Sequence, residues 1–530
     1  METNVLLFLV LLLVVVGIIM LAKKIQVAYP VLLVFAGLLI SFIPGMPKME
    51  LEPELIFVIF LPPILYEAAW ASSFKELFKW RRIILSFAFI VVFVTAVGVA
   101  SVSYLLIPGF TLALGFLLGG IVSPPDAVSA NSITKFVKIP KRFSTILEGE
   151  SLLNDASSLI IMQFAIIAVT TGEFDVQDAS LRFLWMILGG VGCGFLLGWL
   201  FLKLHKMLPT DADIDVILTL IAPYLMYILA EEVHSSGVLS VVVGGLFLSE
   251  KRYEFLSSAS RVRSINVWES LIFLLNGIVF ILIGLDLPQI TEGLGETNLY
   301  EAIGYGVLIT AVVILVRILS SFGAVGVTLI MRNFITVADR NPPGKKVPLI
   351  LGWTGMRGVV SLAAALSIPI YLENGEVFPQ RNLILFITFI VILLTLTIQG
   401  LTLPYIIKKA KLRELDYPQP DEEVENFLER ELHKIALDYM QHNFSESERR
   451  GKNCQSVMGY LQEQLKEDKE FQFNTKSKEM YLQIIELQRG HLINLNKSTP
   501  TLNEDIVRRK IMILDYQEER MELKKNWISD

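Results

Sequence analysis

The chain has 530 residues, 53% of them hydrophobic and 18% charged, with 46 basic against 52 acidic side chains. So large an apolar share points to a bilayer as solvent, and the slightly acidic balance, without a basic stripe interleaved with aromatics, argues against nucleic acid as a partner. Cys193 lies in an apolar run and Cys454 in a polar one, which predicts neither a disulfide nor a thiolate metal site.

The first apolar run, Val5 to Ala22, follows Glu2 and precedes Lys23 and Lys24 rather than a small-residue cleavage site, so it reads as a retained membrane helix. Stretches long enough to cross about 30 Å of hydrocarbon then recur to about residue 407, roughly thirteen in all. Residues 1–410 are therefore expected to form an all-α polytopic membrane domain. From 411 to 530 the chain is charged and periodic, with Val424, Phe427, Leu428, Leu432, Ile435 and Tyr439 at helical spacing, which predicts a soluble helical domain. Thr501 and Glu504 read as a capping box that opens a late helix.

Loops carrying Lys23 and Lys24; Lys75, Lys79, Arg81 and Arg82; Lys135, Lys138, Lys141 and Arg142; Lys203 and Lys206; Lys251, Arg252, Arg261 and Arg263; and Arg332, Arg340, Lys345 and Lys346 are basic. The loops between them carry Glu50, Glu52 and Glu54, then Glu173, Asp175 and Asp178, then Glu292 and Glu296, with only Lys48, Arg182 and Arg381 in or beside them. Basic loops stay in the cytoplasm, so the N-terminus is expected outside, the tail inside, and the chain in the plasma (inner) membrane. Glu231, Glu232 and His234 then fall at a solvated outer loop.

A charge at the bilayer centre costs roughly 2.5–3.5 kcal/mol on insertion scales, so each one needs a reason. At about 1.5 Å per residue from Arg142, Glu150 lies about 12 Å deep and Asp155 about 20 Å deep, while Arg357 lies about 17 Å beyond Lys346. Arg317 sits midway along Ala302 to Leu329. Glu150 and Asn154 share a helix face and Asp155 is turned about 100° from Asn154. The reading that follows pairs Glu150 with Arg357, keeps Arg317 as a structural counter-charge, and leaves Asp155 free to exchange its partner. Two runs are also broken at this depth, at Ser123-Pro124-Pro125-Asp126 and at Gly352-Trp353-Thr354-Gly355-Met356-Arg357-Gly358. Paired breaks in corresponding halves point to an ion site in transporters built from inverted repeats. The five histidines have no metal-ligand spacing, and no phosphate loop, dinucleotide fingerprint or nucleophile elbow occurs. The expectation is a transporter rather than an enzyme, with no cofactor and an ion gradient as its energy source.

The segment Gly149-Glu150-Ser151-Leu152-Leu153-Asn154-Asp155-Ala156, with Leu61-Pro62-Pro63-Ile64, Asn276-Gly277-Ile278-Val279-Phe280, Gly355-Met356-Arg357-Gly358-Val359-Val360-Ser361 and Gln399-Gly400-Leu401-Thr402, resembles the NhaP-like, electroneutral sodium/proton antiporters, the branch that includes animal sodium/proton exchangers. The resemblance covers about the first 410 residues. It implies a homodimer of about thirteen-helix subunits, each with a dimerisation part and a moving core around two crossed, unwound helices. It further implies Asp155 as the ion-carrying carboxylate, Asn154 as its neighbour, and Glu150 with Arg357 as the core ion pair. Many relatives read Thr-Asp-Pro where this chain has Ser123-Pro124-Pro125-Asp126; Ser123 aligns with the threonine, and Asp126 is left as either an ion ligand or a helix cap.

Desolvation disfavours the charged form of a buried carboxylate, so Asp155 can hold either H⁺ or Na⁺. Na⁺ is a hard cation that seeks oxygen, here Asp155, the Ser123 hydroxyl and freed backbone carbonyls. With asparagine at 154 there is one exchangeable carboxylate, and the expected exchange is one Na⁺ for one H⁺, electroneutral, by alternating access, serving pH regulation. K⁺ or Li⁺ in place of Na⁺ is the alternative on the same scaffold. A cation channel is the alternative of another class, and it would need a continuous pore.

Overall fold

The computed structural model describes residues 2–25, 27–43, 53–126, 137, 139–172, 176–294, 298–331, 344, 346–372, 375–412, 414, 416–417, 419–463 and 475–526. Of the loop residues that set the expected orientation, Lys48, Glu50, Glu52, Lys135, Lys138, Glu173, Asp175, Glu296, Arg332, Arg340 and Lys345 lie outside the described residues. Among those described, structure is helical apart from one isolated bridge, Tyr371 to Val377. A backbone without water must satisfy its own hydrogen bonds, and helices do so within one segment.

In chain order the helices are α1 (Glu2–Ile25), α2 (Tyr29–Ser41), α3 (Pro53–Ala71), α4 (Phe74–Leu106), α5 (Leu112–Val122), α6 (Lys141–Thr171), α7 (Val176–Met207), α8 (Ala212–Glu232), α9 (Gly237–Phe255), α10 (Ser258–Leu285), α11 (Leu287–Glu292), α12 (Leu299–Met331), α13 (Lys346–Trp353), α14 (Val359–Leu366) and α15 (Arg381–Ala410). The polar tail adds α16 (Asp421–Asn443), α17 (Glu446–Arg449), α18 (Lys452–Glu463), α19 (Thr475–Ser498) and α20 (Glu504–Asn526). Among the described residues α4, α6, α7, α8, α10, α12 and α15 are long and apolar enough to cross a bilayer, and α2, α3 and α5 are shorter apolar helices. The all-α membrane class expected from the sequence is what the structure has.

The chain divides into two compact units. The first comprises Met1–Pro209, Ile217–Phe255 and Val267–Arg413. Lipid tails are as apolar as leucine, so its helices gain from close backbone approach rather than from burial alone. Gly190, Gly194 and Gly198, one turn apart on α7, lie against the Ser236 carbonyl, Ser240 and Gly244. Gly37 of α2 faces Ile281 and Gly284 of α10, and Gly284 faces the Val34 carbonyl in return. Two helices lose their regular pitch: α4 has a π-helical turn at Ser86–Val91 and α15 one at Thr395–Gln399, a feature common at functional sites.

The second unit comprises Thr210–Val216, Leu256–Asn266 and Glu414–Asp530, so it holds more than the tail. Its α16 buries Val424, Leu428, Leu432, Ala436 and Met440, one stripe at every fourth residue. Phe427, expected in that stripe, is exposed, because Val424, Leu428 and Leu432 already fill the face one residue round. The late helix begins at Glu504 rather than Thr501, since the Asn503 side chain accepts from the Asp505 amide at 3.0 Å and takes the capping position.

At Gly284 a Cβ would overlap the Val34 carbonyl and the backbone of Leu38, whereas one at Gly17 would meet nothing. Gly284→Val is expected to lower the thermal midpoint of the detergent-solubilised protein, at a cost of about 1–3 kcal/mol. Gly17→Ala should be neutral or slightly stabilising, as alanine is the better helix former.

Candidate ion site

The site is built on α6, which is held to its neighbours by its small polar side chains. Ser158 Oγ donates to the Gly120 carbonyl at 2.7 Å, and Ser157 Oγ donates to Ala88 O at 2.5 Å, within the π turn of α4. Asn154 Nδ2 donates to Pro125 O at 2.9 Å, which fastens α6 to the break after α5. These bonds turn one face of α6 towards the middle of the first unit. Glu150, Asn154 and Asp155 are all buried there.

The two broken segments meet. α5 ends at Val122, and 354–358 between α13 and α14 is not helical. The Asp126 amide donates to Met356 O at 2.7 Å. The Asp126 carboxylate packs where a side chain at Gly358 would stand. Arg357 joins the breaks from the other direction, with Nε on Val122 O at 2.7 Å and Nη2 on Ser123 O at 3.0 Å, and Nη1 on Gly355 O. A guanidinium thus serves the orphan carbonyls at the C-terminal end of α5, where helix dipoles favour positive charge. The Arg357 amide donates to Thr395 Oγ1 at 3.2 Å, at the π turn of α15.

The pairing expected for Glu150 is different in the structure. Arg317, on α12, makes the bidentate bridge, Nη1 to Oε1 at 2.8 Å and Nη2 to Oε2 at 2.9 Å, with both side chains 1% exposed. Arg357 binds carbonyls instead. Position along the chain places both arginines within the hydrocarbon with Glu150, but depth says nothing of which faces it across the bundle. Gly355 lets both pass, for a Cβ there would overlap Arg317 and stand 2.7 Å from Nη1 of Arg357.

Asp155 is 6% exposed. Among the described residues no hydrogen bond or ion pair holds its carboxylate, and Asp126 is close enough to interact with it electrostatically. Ser123 is buried, its carbonyl on Arg357 and its hydroxyl 3.4 Å from Gly120 O. Among the described residues Asn154 Oδ1 is buried without a hydrogen-bond partner.

A cavity of about 160 Å³ lies beside α6, lined by Leu159, Ile160 and Gln163 and by Tyr227, Glu231 and Ser236. Leu159 and Gln163 follow Asp155 at four and eight residues and so continue its helix face. Glu231 is exposed, as its solvated reading expects, but it lies in the last turn of α8 rather than in a loop, where it accepts from the Gly237 amide at 2.9 Å and borders this cavity.

Removing Arg317 strands the Glu150 carboxylate, so Arg317→Ala should cost about 3–5 kcal/mol, whereas deleting the pair whole as Glu150→Leu with Arg317→Leu should cost much less. Arg357→Ala should also destabilise, without rescue by Glu150→Leu. Thermal midpoints in detergent check this, and rescue of Arg357→Ala rather than Arg317→Ala would overturn the pairing.

Residues 10–409 match the family profile described as "Sodium/hydrogen exchanger, transmembrane". A Bacillus subtilis protein named "Sodium, potassium, lithium and rubidium/H(+) antiporter" is 34% identical over 388 residues, which are 71% of this chain and 57% of that protein. Its Bacillus pumilus namesake is 32% identical over 72% of this chain and 58% of its own length. The match therefore spans little more than half the length of these two relatives. The low-affinity Na⁺/H⁺ antiporter NhaS1 of Synechocystis is 33% identical over 72% of this chain and 69% of its own. In three dimensions the chain is similar to the sodium proton antiporter MjNhaP1 of Methanocaldococcus jannaschii, with a TM-score of 0.61 at 18% identity, covering 77% of this chain and 99% of that one. The chain belongs to the sodium/hydrogen exchanger family.

Proposed function

We propose that the protein exchanges Na⁺ for H⁺ across the membrane, one for one, with Asp155 as the carboxylate that carries each in turn. The observation that carries this reading is the contrast inside one buried cluster. Glu150 and Arg317 neutralise each other and Arg357 is bound to carbonyls, whereas Asp155 is left without a committed partner among the described residues. A carboxylate in that position can release H⁺ only by taking a cation, and Na⁺ seeks oxygen ligands. Asp155 supplies one, and further oxygens of the cluster are Asn154 Oδ1, on α6, and the Ser123 hydroxyl, at the end of α5. Asp126 stands near enough to favour a cation at the site.

Alternating access on this reading moves α6 and the crossed breaks past a dimerisation part of a homodimer in the plasma membrane, with the tail in the cytoplasm. The names of the Bacillus relatives support K⁺ and Li⁺ as further substrates on the same scaffold.

Asp155→Asn should abolish exchange and leave the thermal midpoint close to the parent's, because the amide neither releases a proton nor neutralises a cation. Flux in proteoliposomes under an imposed ΔpH, with Na⁺, K⁺ and Li⁺ in turn, reads this out, and full activity in the variant would remove Asp155 from its role.

With asparagine at 154 the loaded site carries the same net charge whether H⁺ or Na⁺ is bound, so no net charge should cross the field. Each uncompensated charge would couple to the potential by about 2.3 kcal/mol per 100 mV. The Na⁺ gradient at equilibrium should therefore be insensitive to a potential set by K⁺ and valinomycin, once K⁺ is known not to be a substrate. A steady current would show a second coupled group, for which Asp126 is the first candidate. A channel would instead pass Na⁺ without counter-movement of H⁺.

A further inference from the structure

The family match ends at residue 409, yet the second unit contains a buried ionic cluster that the exchange chemistry does not use. Arg261, at the start of α10, binds Asp515 of α20 in bidentate fashion, Nε to Oδ2 at 2.7 Å and Nη2 to Oδ1 at 2.5 Å. Its Nη1 reaches Leu256 O at 2.5 Å. Arg489 of α19 shares the same carboxylate, Nε to Oδ1 at 3.1 Å, and also binds Glu518 and Glu486. Ser258 Oγ sits between them, accepting from Arg261 at 3.0 Å and from Arg489 at 2.8 Å and donating to Glu518 at 2.7 Å. One residue pair beyond, Ser260 Oγ donates to Asp215 of α8 at 2.7 Å. Arg261, Arg489, Asp515, Ser258, Ser260 and Asp215 are all buried.

Surface ion pairs of solvated side chains contribute little and form wherever opposite charges drift together. Guanidiniums and carboxylates taken out of water are different, for they persist only where every member is paired. This cluster is assembled from chain positions more than 200 residues apart. It fixes the first turns of α8 and α10 to each other through Asp215 and Ser260, and to the tail through Arg261 and Asp515. Both helices then continue as apolar segments long enough to cross a bilayer. Packed ionic contacts of this kind hold or release as a unit rather than stretch.

We propose that the tail is an intramolecular clamp which, through Asp515 and Arg489, holds the starts of α8 and α10 as one rigid piece and so sets the turnover of exchange. The inference rests on the antiport reading above. A transporter that works by moving one part past another needs the stationary part stiff, and helices whose ends are tied together and to a folded bundle belong to a stationary part. Release of the clamp then slows the cycle and leaves the ion site, with its affinity for the cation, as it was.

The test uses the full chain reconstituted in proteoliposomes, with Asp515→Asn, whose amide cannot balance two guanidiniums, and the milder Ser258→Ala as a second variant. Arg509→Ala serves as control, since its bridge to Glu425 is solvent-exposed. Both test variants are expected to become cleavable by trypsin within the tail at doses the parent and control resist, and to exchange several-fold more slowly at saturating Na⁺. The Na⁺ concentration for half-maximal rate should be unchanged. A tail that stays protected in both variants, or one that is released while turnover is unchanged or raised, would overturn the clamp. A parent that exchanges no cation for H⁺ would instead sink the antiport reading and the clamp on turnover with it, so the two failures are told apart by the parent alone.

Discussion

A charge removed from water must find a partner in the protein, and in the middle of the first unit that requirement fixes nearly every other feature. Two guanidiniums and three carboxylates share one buried region, Arg317, Arg357, Glu150, Asp126 and Asp155. Glu150 and Arg317 neutralise each other completely, by two parallel hydrogen bonds. Arg357 is satisfied without a carboxylate bridge, by the carbonyls of Val122, Ser123 and Gly355. Those carbonyls are free acceptors because α5 stops at Val122 and because 354–358, between α13 and α14, is not helical. The breaks need the arginine as much as the arginine needs the breaks.

Steric demands reinforce the same arrangement. Proline and glycine in a membrane helix are ordinarily read as loosening it. Here the glycines act more specifically, since Gly355 leaves room for Arg317 and Arg357 to pass each other and Gly358 leaves room for the Asp126 carboxylate. A larger residue at either position would push a charge off its partner. The π turns act in the same sense, one offering the Ala88 carbonyl to Ser157 and the other offering Thr395 Oγ1 to the Arg357 amide. Their i→i+5 turns interrupt the regular i→i+4 ladder at the two places where α4 and α15 meet the site.

The helical class, the buried carboxylates and the two breaks are legible in the sequence because each is a local property. Apolar run length, the distance of Asp155 from Arg142, and the Ser123-Pro124-Pro125-Asp126 interruption are all read along a single stretch of chain. The partner of Glu150 is not legible, because Arg317 and Arg357 both read as mid-membrane charges and only the packing of α12 against its neighbours decides between them. Phe427 and Thr501 mislead for a smaller reason of the same type: a helical stripe one residue wide and a cap two residues early both fit the period, and packing chose Val424, Leu428 and Asn503. The Arg261 and Asp515 bridge joins positions 254 apart, with no motif to mark either. In the sequence Arg261 is only one more basic loop residue, and its burial in a cluster is a fact of tertiary structure.

The two sides of α6 differ in a way that bears on how such a site could change its exposure. On one side Asn154, Ser157 and Ser158 donate to Pro125, Ala88 and Gly120, so that α6 and the broken segment after α5 form one hydrogen-bonded piece with α4. Directional bonds of this kind resist sliding. On the other side Leu159 and Ile160 face Tyr227 and Val238 across the cavity. Apolar side chains have no preferred register, and small shear between packed helices costs little where no polar partner must be exchanged. Asp155 lies at the junction of the two sides, buried by the first and one helical turn from the cavity of the second, which is where a carboxylate must stand if motion along the apolar side is to expose it without breaking the bonds on the other.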